Sequence, residues 1–389
     1  MLQDIYLAAK TLWRHWPGFE EPGLVLDTID QLYPENKPRP VCVRQRREDY
    51  GWQMKFLLPP GVSCEKFLEQ QNLFVDATRR YVEMDRLDSG YILLDIYDEV
   101  LHAVYPYNFQ PESFLDMALP VPIGWSVKGL YVFDLVAAPH MLIAGESGKG
   151  KSNFLHGLIR ALLPRTCVVV LDLKRLEFSY LRNHILLART EDEGLTILRR
   201  VEMEMERRFD ILEAAGVEKI QRYRGKMPYI VFVVDEFAEI QTQTSLNIID
   251  RLVRLARAVG ISVVVATQHP SCEVIKGKIK SQFDARLCFR VADGVNSRMV
   301  LGEQCSMAAY LPADIPGRAI FRFGDTRLVQ TMLYDIQAAK AQLPEVKRIE
   351  LATGEPVAER KPARPALAGI PGGLRRPRRG ADKKPARPV

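Results

Sequence analysis

Cysteine is sparse and unpatterned in this 389-residue chain. The six cysteines (Cys42, Cys64, Cys167, Cys272, Cys288, Cys305) include no CxxC pair, so neither a zinc ribbon nor a disulfide framework is expected. Cys167 and Cys288 sit inside apolar runs, where a thiol behaves as a small hydrophobe. No run of 18 or more apolar residues occurs, which predicts no intrinsic membrane span. The first residues lack the apolar core and small-residue cleavage site of a secretory leader. A cytoplasmic setting fits these absences, with any recruitment to a membrane left to partners.

A uniform positive charge is lacking as well. The formal net charge is +6, but residues 351–389 hold ten Lys/Arg against three acidic residues, leaving 44 bases and 45 acids in residues 1–350. The body is therefore not generally basic, and any nucleic-acid contact must be local, inside a pore or cleft. Hydrophobic residues at 47% and charged residues at 26% are ordinary for a globular chain of two domains and a tail.

What is present divides the chain in three. Residues 1–122 comprise an N-terminal helix and a smaller α+β domain. Leu2, Ile5, Tyr6, Ala9, Leu12, Trp13 and Trp16 share one helical face, which favours packing on the body or a neighbouring subunit over a membrane-surface helix. Residues 41–44, 52–57 and 91–97 read as strands, 64–81 as helix, and the proline-rich stretch 106–122 as a linker. From residue 123 to 343, short β-branched runs (141–144, 167–171, 229–234, 261–266, 287–291, 319–323) alternate with helical patterns. Such alternation predicts an α/β core with a mainly parallel sheet covered on both faces. Residues 344–389, rich in Pro, Arg and Lys, read as a disordered basic tail.

The chemistry concentrates in that core. Gly145, Glu146, Ser147, Gly148, Lys149, Gly150, Lys151 and Ser152 satisfy G-x-x-x-x-G-K-[ST], after a predicted strand and before a predicted helix that opens with Asn153. Glycines let successive backbone N–H groups converge on phosphates, and the helix aims its positive end at them. Lys151 is expected to reach the β- and γ-phosphates of ATP, and the Ser152 hydroxyl to ligate Mg²⁺. The second strand, 229–234, ends in Asp235 and Glu236, an acid pair suited to holding Mg²⁺ and polarising the attacking water. The strand 261–266 ends in Thr267 and Gln268, where an amide can sense the γ-phosphate. Asp172 and Lys174 follow a fourth strand on the same carboxyl edge, where open α/β sheets place ligands.

Five segments carry a family resemblance: PHMLIAGESGKGKS (139–152), DLKRLE (172–177), EMERR (204–208), PYIVFVVDEFAE (228–239) and RLARAVGISVVVATQHPS (254–271). Their order and spacing resemble the motor domain of the FtsK/SpoIIIE family of DNA translocases, within the HerA/FtsK superfamily, over roughly residues 123–335. The resemblance implies a RecA-like P-loop ATPase and a homo-hexameric ring around double-stranded DNA. It also implies Lys151 as the Walker A lysine, Ser152 and Asp235 on Mg²⁺, Glu236 as catalytic glutamate and Gln268 as sensor. Arg257 is implied as an arginine reaching the neighbour's nucleotide, with Arg298 the second candidate.

No winged-helix pattern follows the motor segment, and 241–245 (QTQTS) holds no lysine where relatives often carry basic residues. Lys276, Lys278 and Lys280 are other candidates for touching DNA, as is RRPRR (375–379). A mobile-element, conjugation or phage-type member is thus expected over a septal one, with transfer or division proteins at the membrane as partners. The alternatives are an ATPase that moves polypeptides, as the FtsK/SpoIIIE-like modules of type VII secretion do, and a regulatory ring that hydrolyses slowly.

Overall fold

The structure is a computed structural model that describes residues 20–343 and 351, apart from 35, 88–89, 99–100, 164, 269, 271–279 and 304. The expected helix over 1–16, Lys276, Lys278 and the basic tail lie outside the described residues.

A small sheet comes first. Strands β1 (Val41–Glu48), β2 (Gly51–Leu57), β3 (Tyr81–Arg86) and β4 (Tyr91–Tyr97) form an antiparallel sheet in the order β1-β2-β4-β3. Helices α1 (Glu20–Leu32), α2 (Cys64–Leu68) and α3 (Gln71–Thr78) accompany it. Val25, Ile29, Phe67 and Phe74 pack on Met54, Phe56, Ile92 and Leu94, each such side chain contributing about 1.5–3 kcal/mol of burial. The single helix expected over 64–81 is broken. Arg79 takes a left-handed backbone, φ 53°, that caps α3 through its N–H to Val75 O and releases the chain into β3.

The larger sheet has ten strands in the order β6-β5-β14-β13-β12-β7-β11-β10-β8-β9. Its parallel half comprises β7 (His140–Ala144), β8 (Thr166–Leu171), β9 (Leu186–Ala188), β10 (Tyr229–Val234), β11 (Ile261–Thr267) and β12 (Ala285–Phe289). Strands β5 (Pro120–Ser126), β6 (Gly129–Asp134), β13 (Arg318–Phe323) and β14 (Asp325–Gln330) extend it antiparallel. This is the expected α/β class, a RecA-like core, with an antiparallel wing. Of the wing, β6 and β14 went unread because they are largely half exposed, and β5, though buried, because its prolines read as a linker.

Along β7 and β10 successive apolar residues serve opposite faces. Met141, Ile143, Val231 and Val233 meet helix α4 (Lys151–Leu162) through Phe154, Leu155, Leu158 and Ile159. Leu142, Ala144, Phe232 and Val234 face helices α5 (Glu191–Ala214) and α6 (Gln243–Leu255). Burial on both faces is why these strands are continuous apolar runs. Helices α7 (Gly294–Leu301) and α8 (Ile336–Gln342) complete the described part.

The connection between the sheets is held rather than free. Lys128, in the β5–β6 turn, donates to the buried Asp95 carboxylate at 2.7 Å, and Asp95 also accepts from the Tyr50 hydroxyl at 2.8 Å. The buried Arg318 donates to the carbonyls of Leu101 (2.9 Å) and His102 (3.2 Å). Tyr107 donates to Gly157 O on α4 at 3.0 Å. Residues 101–119, which take in most of the stretch expected to be a linker, are therefore a strap across the motor core that ends by entering β5. No helix among the described residues is long and apolar enough to cross a membrane.

Candidate functional site

Strands β7, β8, β10 and β11 are mutually parallel and in register at their ends, with Thr267 opposite Ala144 and Val234 opposite both Leu171 and Val265. Four loops consequently share one carboxyl edge. The P-loop leaves β7 by a turn only glycine can make. Gly145 has φ +151°, and a Cβ there would stand 2.6 Å from Phe289 Cβ. At Gly150, φ +113°, a Cβ would stand 2.9 Å from Gly317 N. Gly150 is also the N-cap of α4 and offers no side chain to the first-turn amides, which leaves those donors for a ligand's oxygens.

Lys151 is 6% exposed. Its ammonium donates to the carbonyls of Gly145 (2.5 Å) and Glu146 (2.8 Å). Burial lowers its pKa to about 8, against the pull of Glu236 and Asp235. Asp235 is buried, and desolvation raises its pKa to about 6, opposed chiefly by Lys174. Glu236 accepts from the Lys174 ammonium at 3.1 Å and from the Gln268 backbone N–H at 3.1 and 3.2 Å. Lys151, the acid pair and the β11 tip thus converge. Ser147, Gly148, Gly150, Ser152, Asn153 and Gln268 line a cavity of about 660 Å³, together with Lys174 and Glu177.

Asp172, fully buried, is not aimed at a ligand. Its carboxylate accepts from the N–H groups of Arg175 (2.9 Å) and Phe178 (3.3 Å), building the turn that presents Lys174 and Glu177. The hydrogen bond from His156, which is buried on α4, holds the Glu177 carboxyl below its usual range. Asn153 is occupied: its amide donates to Met332 O at 2.7 Å and its Oδ1 accepts from Tyr334 N–H at 3.0 Å. Lys149 ties the loop to the turn before β13, its ammonium donating to Ala313 O and its carbonyl accepting from Gly317 N–H, both at 2.9 Å.

Arg257 lies elsewhere. It precedes β11, and its guanidinium reaches Ala137 O, just before β7. It is therefore on the amino edge, five to seven strand residues from the P-loop, about 16–23 Å. Arg298 sits on α7, which follows β12 at the carboxyl edge, close to Gly294. Glu177, Arg208, Thr331 and Leu333 were given no role from the sequence. Glu177 and Arg208 lay inside the family segments, whereas Thr331 and Leu333 follow a strand too weakly patterned to be read.

A glycine-turned loop between strand and helix, with an acid pair at the tip of a nearby parallel strand, defines a P-loop NTPase core. Known proteins agree. The FtsK/SpoIIIE family model matches residues 110–228, from the strap to the start of β10. DNA translocase FtsK of Chlorobaculum tepidum is 38% identical over 221 residues, covering 49% of this chain and 28% of that protein. DNA translocase FtsK of Borreliella burgdorferi is 37% identical over 210 residues, covering 48% and 27%. Over this segment the chain is similar to the FtsK/SpoIIIE family. It spans little more than a quarter of the length of those relatives.

Among solved structures, the pCW3 conjugation coupling protein TcpA, in its monomer form with ATPγS, is similar at a TM-score of 0.57 and 22% identity. That match covers 83% of this chain and 99% of TcpA. EssC ATPases 2 and 3 from Geobacillus thermodenitrificans match at a TM-score of 0.53 and 18% identity, covering 64% and 54%. Both share the fold.

Proposed function

We propose that this protein is an ATP-dependent double-stranded DNA translocase of FtsK/SpoIIIE type, working as a homo-hexameric ring in DNA transfer or segregation. The observation that carries the reading is the division of the machinery between two edges of one sheet. Lys151, Ser152, Asp235, Glu236 and Gln268 gather at the carboxyl edge, while Arg257 stands on the amino edge, out of reach of its own P-loop. An arginine so placed serves a nucleotide held by a neighbour, which requires a ring or filament.

In this reading the P-loop amides and Lys151 bind the triphosphate, and Lys151 exchanges its two carbonyl partners for phosphate oxygens. Ser152, in the first turn of α4, and the buried Asp235, at the end of β10, offer a hydroxyl and a carboxylate that would hold a divalent ion. Mg²⁺ there would supply charge neutralisation. Glu236, held by the Gln268 N–H, orients and deprotonates the attacking water. Gln268 links nucleotide state to β11, and Arg257 neutralises transition-state charge in the adjacent protomer. The names of the similar proteins support this cargo: the FtsK relatives are DNA translocases, and TcpA is a conjugation coupling protein. The latter name is what favours a conjugation or mobile-element role in this reading.

The test is the ATPase rate with no addition, with long linear duplex, with single strands and with unfolded polypeptide. Strong stimulation by duplex alone is expected. Stimulation by polypeptide with indifference to duplex would replace this reading with a protein-moving ATPase.

A further inference from the structure

The cavity at the carboxyl edge is larger than a phosphate site needs, and its far half is walled by segments remote in sequence. Val104 comes from the strap, Pro316 from the turn entering β13, and Thr331 and Leu333 from the chain just past β14. At about 660 Å³ the cavity falls within the range of small-ligand sites, roughly 300–1,000 Å³.

Leu333 is held with unusual completeness for a residue whose side chain is displayed. Its N–H donates to Tyr105 O at 2.7 Å, and its carbonyl accepts from Tyr107 N–H at 2.9 Å. The residues on either side are clamped by Asn153, in the first turn of the P-loop helix. Yet the residue is 54% exposed, and Val104, which shares the cavity wall, is 58% exposed. Two aliphatic side chains thus face open space beside the P-loop, one of them on fixed backbone. Thr331 adds a polar element. It is 2% exposed, and its hydroxyl has no hydrogen-bond partner among the described residues, a deficit that a ligand's polar atom would fill.

We propose that Val104, Leu333 and Thr331 form the subsite for the purine base and its sugar in the nucleoside triphosphate whose phosphates rest on the P-loop. The proposal rests on the nucleotide-binding reading above. The two aliphatic side chains cover the apolar face of the base, and the Thr331 hydroxyl meets a polar edge of the nucleoside. Asn153 is then a positioning residue. Its side chain does not touch the nucleotide but holds Met332 and Tyr334, and so sets Leu333. Because Val104 lies on the strap that Arg318 holds at Leu101 and His102, the base is gripped in part by the connection between the two sheets.

The experiment is equilibrium binding of ATP, CTP and inorganic tripolyphosphate, each with Mg²⁺, to the full chain by calorimetry. It compares the wild type with Leu333→Ser, Thr331→Val and Lys151→Ala. The wild type is expected to prefer ATP to CTP. Leu333→Ser should lose about tenfold in ATP affinity, equivalent to ~1.4 kcal/mol, keep its affinity for tripolyphosphate, and narrow the preference over CTP. Thr331→Val should raise the melting temperature of the nucleotide-free protein while weakening ATP several-fold, a combination that a purely structural hydroxyl does not give. Unchanged ATP affinity in both variants, or equal losses for ATP and tripolyphosphate, would overturn the subsite. If the wild type binds none of the three and Lys151→Ala changes nothing, the P-loop reading fails with it.

Discussion

The ammonium of Lys174 lies 3.1 Å from the carboxylate of Glu236. The same cation is the chief charge opposing the upward shift of Asp235, whose pKa burial raises to about 6. Lys174 therefore serves two carboxylates at one strand tip. Without it, nothing of comparable strength offsets the desolvation of Asp235, and that group rises further. The acid limb of a kcat/KM profile, which reports groups of the free enzyme, is expected near pH 6 in the wild type. It is expected to move toward neutrality in Lys174→Met. An unmoved limb in the variant would show that Lys174 does not govern the ionisation of the site.

Asp235 also predicts a gain in stability on mutation. Its folded pKa, about 6, lies above the ordinary 3.8. The folded state consequently binds more protons than the unfolded chain between about pH 4 and 6, and stability falls as pH rises through that window. At neutral pH the buried carboxylate costs roughly 2–3 kcal/mol. Asp235→Asn should therefore melt higher than the wild type at pH 7.5 in nucleotide-free protein, by ~2 °C or more, while hydrolysing no ATP. The difference should vanish near pH 4. Scanning calorimetry at the two pH values decides it.

Arg257 and Glu236 make a test in mixed assemblies. Glu236→Gln removes the proposed base and should lower turnover by about 10²–10⁴ while retaining bound ATP. Arg257→Ala should lower turnover by about 10³–10⁵ with ATP affinity nearly unchanged. Because the two residues act at opposite edges, mixing the inactive proteins creates some interfaces with an intact Glu236 on one side and an intact Arg257 on the other. Partial recovery of hydrolysis on mixing is expected. Complete absence of recovery, with assembly confirmed by light scattering, would move the trans role to Arg298.

How much of this was legible depended on where the apolar residues fall. Tyr229–Val234 and Ile261–Thr267 are buried on both faces, so their unbroken apolar runs announced a parallel core and placed Asp235 and Gln268 at its edge. Strands β6 and β14 are largely half exposed, and Asp325–Gln330 carries two charges in six residues. The wing, and with it Thr331 and Leu333, was unreadable. The strap went unread for a different reason. Its prolines signal loop, but Tyr107 on Gly157 and Arg318 on Leu101 and His102 are tertiary contacts that no local pattern encodes. Asp172 shows the converse. Its place at a strand tip suggested chemistry, and the structure gives it the turn of Arg175 and Phe178.

Arg208 carries a prediction about how the Arg257 turn is held. Its guanidinium, almost fully buried, donates to Glu204 Oε1 (2.7 Å), Val259 O (2.9 Å) and Pro228 O (2.7 Å). It thereby ties α5 to the chain entering both β10 and β11, two residues from Arg257. Burial works against the Glu204 carboxylate, yet Arg207 and Arg208 together hold it below its usual range. Arg208→Met leaves that carboxylate short of a partner and two buried carbonyls unpaired, so a loss of about 3–5 kcal/mol is expected from urea unfolding. The double variant Glu204→Leu/Arg208→Met removes the stranded charge and should recover part of the loss, leaving the carbonyls as the remainder. A single-variant loss below ~1 kcal/mol would mean that water replaces the guanidinium at little cost and that the turn is held by other contacts.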